Sequence, residues 1–247
     1  MQSRVGPDRA GPFGILQTVA DAIKLLLKEQ IMPLKADRAM YLLAPIIALV
    51  PSFLIFMIIP LGPDLNIEIG GKEYIVDFVG ADLNVGVLYF LALSSIAVYS
   101  VVLAGWSSGS KYPLLGGVRA SAQMISYEAA MGLSLVPVIL YSGSLSLVDI
   151  VSSQSGNLST TITILSSIVS FIPKWNIFPQ FIAFGIFFIA AVAEVNRAPF
   201  DLVEAEQELV GGFHTEYSGF RFAMFFLAEY INMFNMCAIT ATFFLGG

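Results

Sequence analysis

The sequence predicts an all-α integral membrane protein: five transmembrane helices, an N-terminal amphipathic interfacial helix and a short helix in an acidic loop. Three observations lead there. Hydrophobic residues fill 57% and charged residues only 12% of 247 positions, and mean hydropathy is +0.80, outside the range of ordinary soluble domains. Uncharged runs of about twenty residues recur, the length that crosses a hydrocarbon core of about 30 Å. The third observation is the uneven placing of the 18 acidic residues. Six of them (Glu194, Asp201, Glu204, Glu206, Glu208 and Glu216) fall in one connection between two apolar runs. The whole chain, 1–247, reads as a single membrane domain.

Residues 1 to 12 (MQSRVGPDRAGP) lack the apolar core of a signal peptide. Gly-Pro pairs at 6–7 and 11–12 make this a turn-rich approach. In residues 13 to 29, Gln17, Asp21, Lys24 and Lys28 recur at helical spacing, while Leu16, Val19, Ala20, Ile23 and Leu27 fill the other face. Such a helix lies in the membrane interface, either as a plain packing helix or as a wall of a chamber for an amphiphile. The spans follow at about 41–61, 85–105, 121–147, 177–193 and 222–244. Pro45, Pro51 and Pro60 break the first, which is tolerable where neighbouring helices satisfy the freed carbonyls. The third continues a helical pattern from near Val118, which puts Arg119 in the interface and Glu128 near the hydrocarbon edge. Segment 158–172 is uncharged but only 15 residues long with seven Ser or Thr, so it reads as interfacial or loop.

Charge sets the orientation. With five spans, residues 1–40, 106–128 and 194–221 share one side and carry ten of the 12 Lys and Arg residues, leaving Lys72 and Lys174 opposite. The positive-inside bias places the first set, the acidic loop included, in the cytoplasm. A sixth span at 158–172 would weaken that bias.

One cysteine, Cys237, rules out an internal disulfide framework and leaves too few thiolates for an iron–sulfur or zinc-thiolate site. There is no G-x-G-x-x-G, no P-loop and no second histidine. A redox cofactor therefore belongs to another chain or arrives as a diffusible substrate. No basic run suggests nucleic acid.

Ionisable groups at membrane depth mark a pathway or a buried pair. Glu229 sits inside the last span with Asn232 and Asn235 at steps of three; the plainer alternative is that Glu128 and Glu229 only bond neighbouring helices. Asp201-Leu-Val-Glu204 has capping-box spacing, so a short helix is expected to start there and to end at Gly211-Gly212. Glu204 and Glu208 then share a face with Glu206 nearby, and like charges this close disfavour simultaneous ionisation. Such groups can exchange protons at working pH. The alternative is a solvated acidic loop, against which stand the interleaved Phe200, Leu202, Leu209 and Phe213. His214 is expected to be a hydrogen-bonded structural residue, not a metal ligand.

The stretch AEVNRAPFDLVEAEQELVGGFHTEYSG followed by FAMFFLAEYINM closely resembles the H subunit (subunit 1 in mitochondria) of respiratory complex I, the proton-pumping NADH:quinone oxidoreductase. RVGPDRAGPFGILQTVADAIKLLLKE and GWSSGSKYPLLGGVRASAQMISYE extend the likeness, which is weakest at 62–84 and 148–176. Val203, Asp8 and Phe213 stand where the family usually has Pro, Asn and Tyr. The family has eight spans, so the chain is expected to be a fragment lacking the first and the last two. The resemblance implies a subunit of NADH:quinone oxidoreductase that shapes the quinone chamber and couples quinone reduction to proton translocation, inactive alone and without a redox centre. Quinone (ubiquinone or menaquinone) is the implied substrate, and FMN and iron–sulfur clusters lie on partner subunits. The implied partners are the peripheral-arm quinone-site subunits, neighbouring membrane subunits and membrane lipid. The implied place is a bacterial inner (plasma) membrane.

Carried over residue by residue, Arg4, Asp21 and Lys24 fall where the family lines the quinone chamber. Glu194, Arg197, Asp201, Glu204, Glu206, Glu208 and Glu216 match the acidic loop beside it, and Arg119, Tyr127, Glu128 and Glu229 the polar path into the membrane arm. Two other readings stay open: the homologous subunit of an energy-converting hydrogenase or formate-linked complex, and a stand-alone ion-coupled transporter. The intact FDLVEAEQELVGG and HTEYSG stretches favour the quinone branch. The chain also lacks the internal repeat that a transporter of paired broken helices would show.

Overall fold

The computed structural model describes residues 6–7, 9–63, 65–69, 72–76, 78–156, 173–201 and 210–247. Among them lie seven α-helices: α1 (Gln17–Leu27), α2 (Arg38–Phe56), α3 (Gly86–Ser107), α4 (Lys111–Ser142), α5 (Leu147–Ser153), α6 (Phe181–Glu194) and α7 (Phe220–Phe244). Four of these, α2, α3, α4 and α7, are long and apolar enough to cross a membrane, and α6 is a shorter apolar helix. The membrane-spanning part is all-α, as the sequence predicts. The 62–84 connection adds one antiparallel hairpin, β1 (Leu65–Ile69) and β2 (Lys72–Val76), pairing Leu65 with Val76 and Ile69 with Lys72.

Helix ends differ from the uncharged runs for local reasons. The first span stops at Phe56, not residue 61, because Pro60 cannot carry a helix forward past the Phe56 carbonyl. The third starts at Lys111, ten residues before 121. Pro113 falls in its first turn, where a missing N–H costs nothing. This helix ends at Gly143, whose φ of 73° is left-handed and whose N–H returns to the Ile139 carbonyl at 2.8 Å. Glu128 consequently lies about halfway along α4. The fourth span, expected from residue 177, begins as a helix only at Phe181; turns closed by Phe178 and Gln180 N–H groups precede it.

In the bundle, α3 packs between α2 and α4, α4 carries α6, and α7 lies against α2. Neighbouring elements gather at two ends. At one, Asp37 caps α2 through Ala39 and Met40, its own N–H donates to the Ser107 carbonyl at 3.0 Å, and the Ile31 N–H donates to Ser218 Oγ at 2.9 Å. The chain after α1, the end of α3 and residues 212–219 therefore share that end. At the other, Gly156 accepts from the Lys174 N–H at 3.1 Å, so the chain returns at 173 to the end it left at 156. The expectation for 158–172 itself lies outside the described residues.

The larger buried cluster lies at this second end. Phe90, Met131, Leu135, Phe187, Ile239, Phe243 and Phe244 are fully buried in one cluster. A smaller cluster at the first end joins Tyr41, Ala44, Ala104, Tyr217 and Phe225. There Pro45 has no N–H for the Tyr41 carbonyl, and the Tyr217 hydroxyl donates to it instead at 3.3 Å. The two tyrosine rings stack 4.1 Å apart, and Tyr41 donates its own hydroxyl to the Glu216 carbonyl at 2.7 Å.

Candidate functional site

Glycine lets the first end close. A Cβ on Gly116 of α4 would sit 2.7 Å from the Gly212 carbonyl carbon and 2.8 Å from the Phe213 nitrogen. The backbone of the turn at 212–214 therefore rests directly on α4. Gln123, two turns further along, holds the end of α6: its side-chain amide donates to the carbonyls of Ala193 and Phe200, at 3.1 and 2.9 Å, and lies 3.3 Å from Asn196 Oδ1.

These contacts border a partly open cavity of roughly 70 Å³ between the helices, lined by Ser100, Glu194, Asn196, His214, Glu229 and Asn232 among apolar neighbours. At roughly 10–15 Å³ for each water, it has room for a few. Glu194, the last residue of α6, is buried. Its Oε1 accepts from Ser94 Oγ of α3 at 3.3 Å, while Oε2 has no hydrogen-bond partner among the described residues. The next residue of α3, Ser95, faces α4, and its hydroxyl bonds Glu128 Oε1. Consecutive serines thus join carboxylates from α6 and α4 across α3. On the α7 side, Glu229 pairs with Arg197 at 3.3 Å, and the same guanidinium lies 5.2 Å from the Tyr230 ring centre.

His214 is buried, its ring set edge-on against Phe213, Phe222 and Phe226 at centroid distances of 5.0, 5.3 and 5.9 Å. Burial pushes its pKa down to about 4, so the ring is neutral. Aromatic packing, not the expected hydrogen bonding, is what surrounds it. Burial likewise pushes Tyr217 up to about 12, keeping its hydroxyl a donor for the Tyr41 carbonyl.

Of the sequence-predicted residues, Glu194, Glu229, Arg197 and Glu128 come together through these contacts. Tyr127 packs edge-on against Phe200 at 5.4 Å. Asp201 and Arg119 are exposed, and Glu216, half-buried, accepts from the Tyr41 hydroxyl through its carbonyl, away from this group. Asp21 and Lys24 are exposed on α1, where Asp21 accepts from Gln17 at 3.2 Å. Arg4, Glu204, Glu206 and Glu208, and with them the expected acidic helix, lie outside the described residues. Sequence reasoning missed Ser94, Ser95, Gln123 and Asn196. The Ser94–Ser95 pair inside an otherwise apolar run was the available signal.

The family model for NADH dehydrogenase matches residues 1–247. The chain belongs to the NADH dehydrogenase family. It is 52% identical over 256 residues to one of the NADH-quinone oxidoreductase H subunits of Geobacter metallireducens, an alignment covering all of this chain and 69% of that protein. The corresponding H subunit of Thermomicrobium roseum is 53% identical and that of Brevibacillus brevis 50%, each over 247 residues. All of the chain is covered, with 69% of the Thermomicrobium protein and 65% of the Brevibacillus one. Its spanning helices and its place in the NADH dehydrogenase family make it an integral membrane protein.

Proposed function

We propose that the chain is the membrane subunit of an NADH:quinone oxidoreductase that forms the quinone-binding chamber and couples quinone reduction to proton translocation. The observation that carries this reading is Glu194. It is a buried carboxylate at the end of α6, with one oxygen on Ser94 and the other without a hydrogen-bond partner among the described residues, beside a cavity large enough for water. A carboxyl group so placed can take a proton from one side and release it to another. Ser94 bonds Glu194, and the next residue, Ser95, bonds Glu128 on the exposed side of α3, while Glu229 with Arg197 flanks the cavity.

In this reading quinone takes two electrons from iron–sulfur clusters on partner subunits, which also hold FMN, and two protons to become quinol. Arg4, Asp21 and Lys24 line the chamber, with α1 as its amphipathic wall. Arg197, Asp201, Glu204, Glu206, Glu208 and Glu216 surround the connection next to it. Proton demand at the quinone changes the charge on those carboxylates, and Glu194, Glu128 and Glu229 respond, with Tyr127 and Arg119 on the same helix as Glu128. The acidic connection faces the cytoplasm of a bacterial inner membrane, where the peripheral arm docks, and the chain is inactive alone. Replacing Glu204, Glu206 and Glu208 together with Gln tests this in the assembled complex. We expect normal assembly and coupled quinone reduction slowed by roughly 10²-fold, the size of an acid–base contribution. Unchanged proton translocation in an assembled triple variant would remove these residues from the mechanism.

A further inference from the structure

The end of α6 is closed by its own backbone and clasped by a side chain from another helix. Asn196 takes the left-handed conformation, with φ 52°, which asparagine tolerates better than most residues with a side chain. Its N–H donates to the Ala193 carbonyl and the Arg197 N–H to the Val192 carbonyl, each at 3.2 Å, the paired bonds by which a helix stops at a left-handed residue. Further on, the Phe200 N–H returns to the Arg197 carbonyl at 2.8 Å. Gln123 of α4 reaches over both turns. Its side-chain nitrogen lies 3.1 Å from the Ala193 carbonyl oxygen, 3.3 Å from Asn196 Oδ1 and 2.9 Å from the Phe200 carbonyl oxygen. Three acceptors around this amide nitrogen fix the amide's orientation, since a flipped amide would set its own oxygen against them. Between the two clasped carbonyls stand Glu194, which accepts from Ser94 of α3, and Arg197, which pairs with Glu229 of α7.

We propose that Gln123 is a positioning residue for the coupling step: it holds the end of α6 so that Glu194 stays on Ser94 beside the cavity while Arg197 stays on Glu229. This rests on the coupling role proposed for Glu194. Gln123 moves no proton and acts only through the two groups it places. The backbone bonds shape the turn but do not set its place against α4. Apolar packing between α4 and α6 is non-directional, whereas the hydrogen bonds from Gln123 depend on angle as well as distance and so fix both the position and the rotation of the turn. A displacement of about 1 Å at a reacting group can cost about 10²-fold, so loss of the clasp is felt at Glu194 with Glu194 itself unchanged. Facing Glu194 across its surroundings are Ser94 from α3 and, at the cavity, Glu229 from α7, the latter paired with Arg197.

The test uses the assembled complex in sealed vesicles, carrying Gln123→Met, Gln123→Glu or Glu194→Gln. Methionine keeps the length of the side chain and donates nothing; glutamate keeps its shape and sets an acceptor against three acceptors. Both Gln123 variants should lower proton translocation per NADH oxidised by about tenfold or more. Both should also displace the pH profile of coupled quinone reduction, because a Glu194 that leaves Ser94 loses a hydrogen bond that favours its ionised form. A glutamine that serves only assembly would lower the yield of complex and leave the ratio and the profile of what assembles unchanged. Translocation within about twofold of the parent in either assembled Gln123 variant overturns the positioning role, well short of the effect of a misplaced group. A fall in translocation with the parent's pH profile overturns it as well. If Glu194→Gln loses translocation while the Gln123 variants keep it, only the positioning role fails. If Glu194→Gln keeps it, the coupling role itself fails.

Discussion

The two ends of the helix ring use the same helices for opposite purposes. At the end holding Phe187, polar groups close off backbone. The last four carbonyls of α7 all have partners: Ala241 from the Leu245 N–H, Thr242 from Gln154, Phe243 from Asn176 and Phe244 from the Ile177 N–H. Among the described residues, what remains unpartnered there is neutral amide oxygen on Asn176 and Gln180. At the end holding His214, polar groups surround a cavity, and the buried atoms without a hydrogen-bond partner among the described residues include a carboxylate oxygen on Glu194. In a bilayer no water satisfies a stray backbone group, so the first arrangement holds the helices together. The second keeps an ionisable group where a proton can reach it.

This contrast can be broken from the packed side first. Phe187→Ala empties a fully buried position between Phe243 and Phe244. Large-to-small core changes of this kind cost about 3–5 kcal/mol. The yield of assembled complex on native gels should fall sharply, while translocation per NADH in the surviving complex stays at the parent level.

A smaller effect is expected from Tyr217→Phe. The ring stack with Tyr41 remains, but the carbonyl freed by Pro45 loses its donor. An unsatisfied buried acceptor costs about 1–3 kcal/mol, to be read as a lower melting temperature of the complex. A further comparison concerns pH. His214 has a folded pKa of about 4 against the ordinary 6.5 of the unfolded chain, so the folded state resists protonation that the unfolded chain accepts. Its contribution to stability is fully present above pH 6.5 and is lost as pH falls towards 4. Melting temperatures measured across that window should decline more steeply for the parent than for His214→Phe.

The helices were legible because run length and charge report directly on membrane depth. Their ends were less so. Lys111 and Tyr112 look like loop residues in an apolarity scan, and only the tolerance of a first helical turn for Pro113 shows that α4 already runs there. Glu194, Glu128 and Glu229 stood out because a carboxylate among apolar residues is rare. Ser94 and Ser95 did not, since serine is common in membrane helices, and which neighbour each hydroxyl meets depends on the rotation of α3. Gln123 and Asn196 act across 73 residues of sequence, which no local pattern encodes. The surroundings of His214 were hidden for a related reason: Phe222 and Phe226 belong to α7 and reach the ring only after the turn at 215–219 folds back.

Glu194→Gln in the intact complex tests the central claim most directly. Glutamine keeps an acceptor for Ser94 and nearly the same volume, so the packed end and the assembly should be unaffected. Proton translocation per NADH oxidised, measured by dye quenching in sealed vesicles, should drop by about tenfold or more. Translocation at the parent level in that assembled variant would contradict the coupling role of this carboxylate.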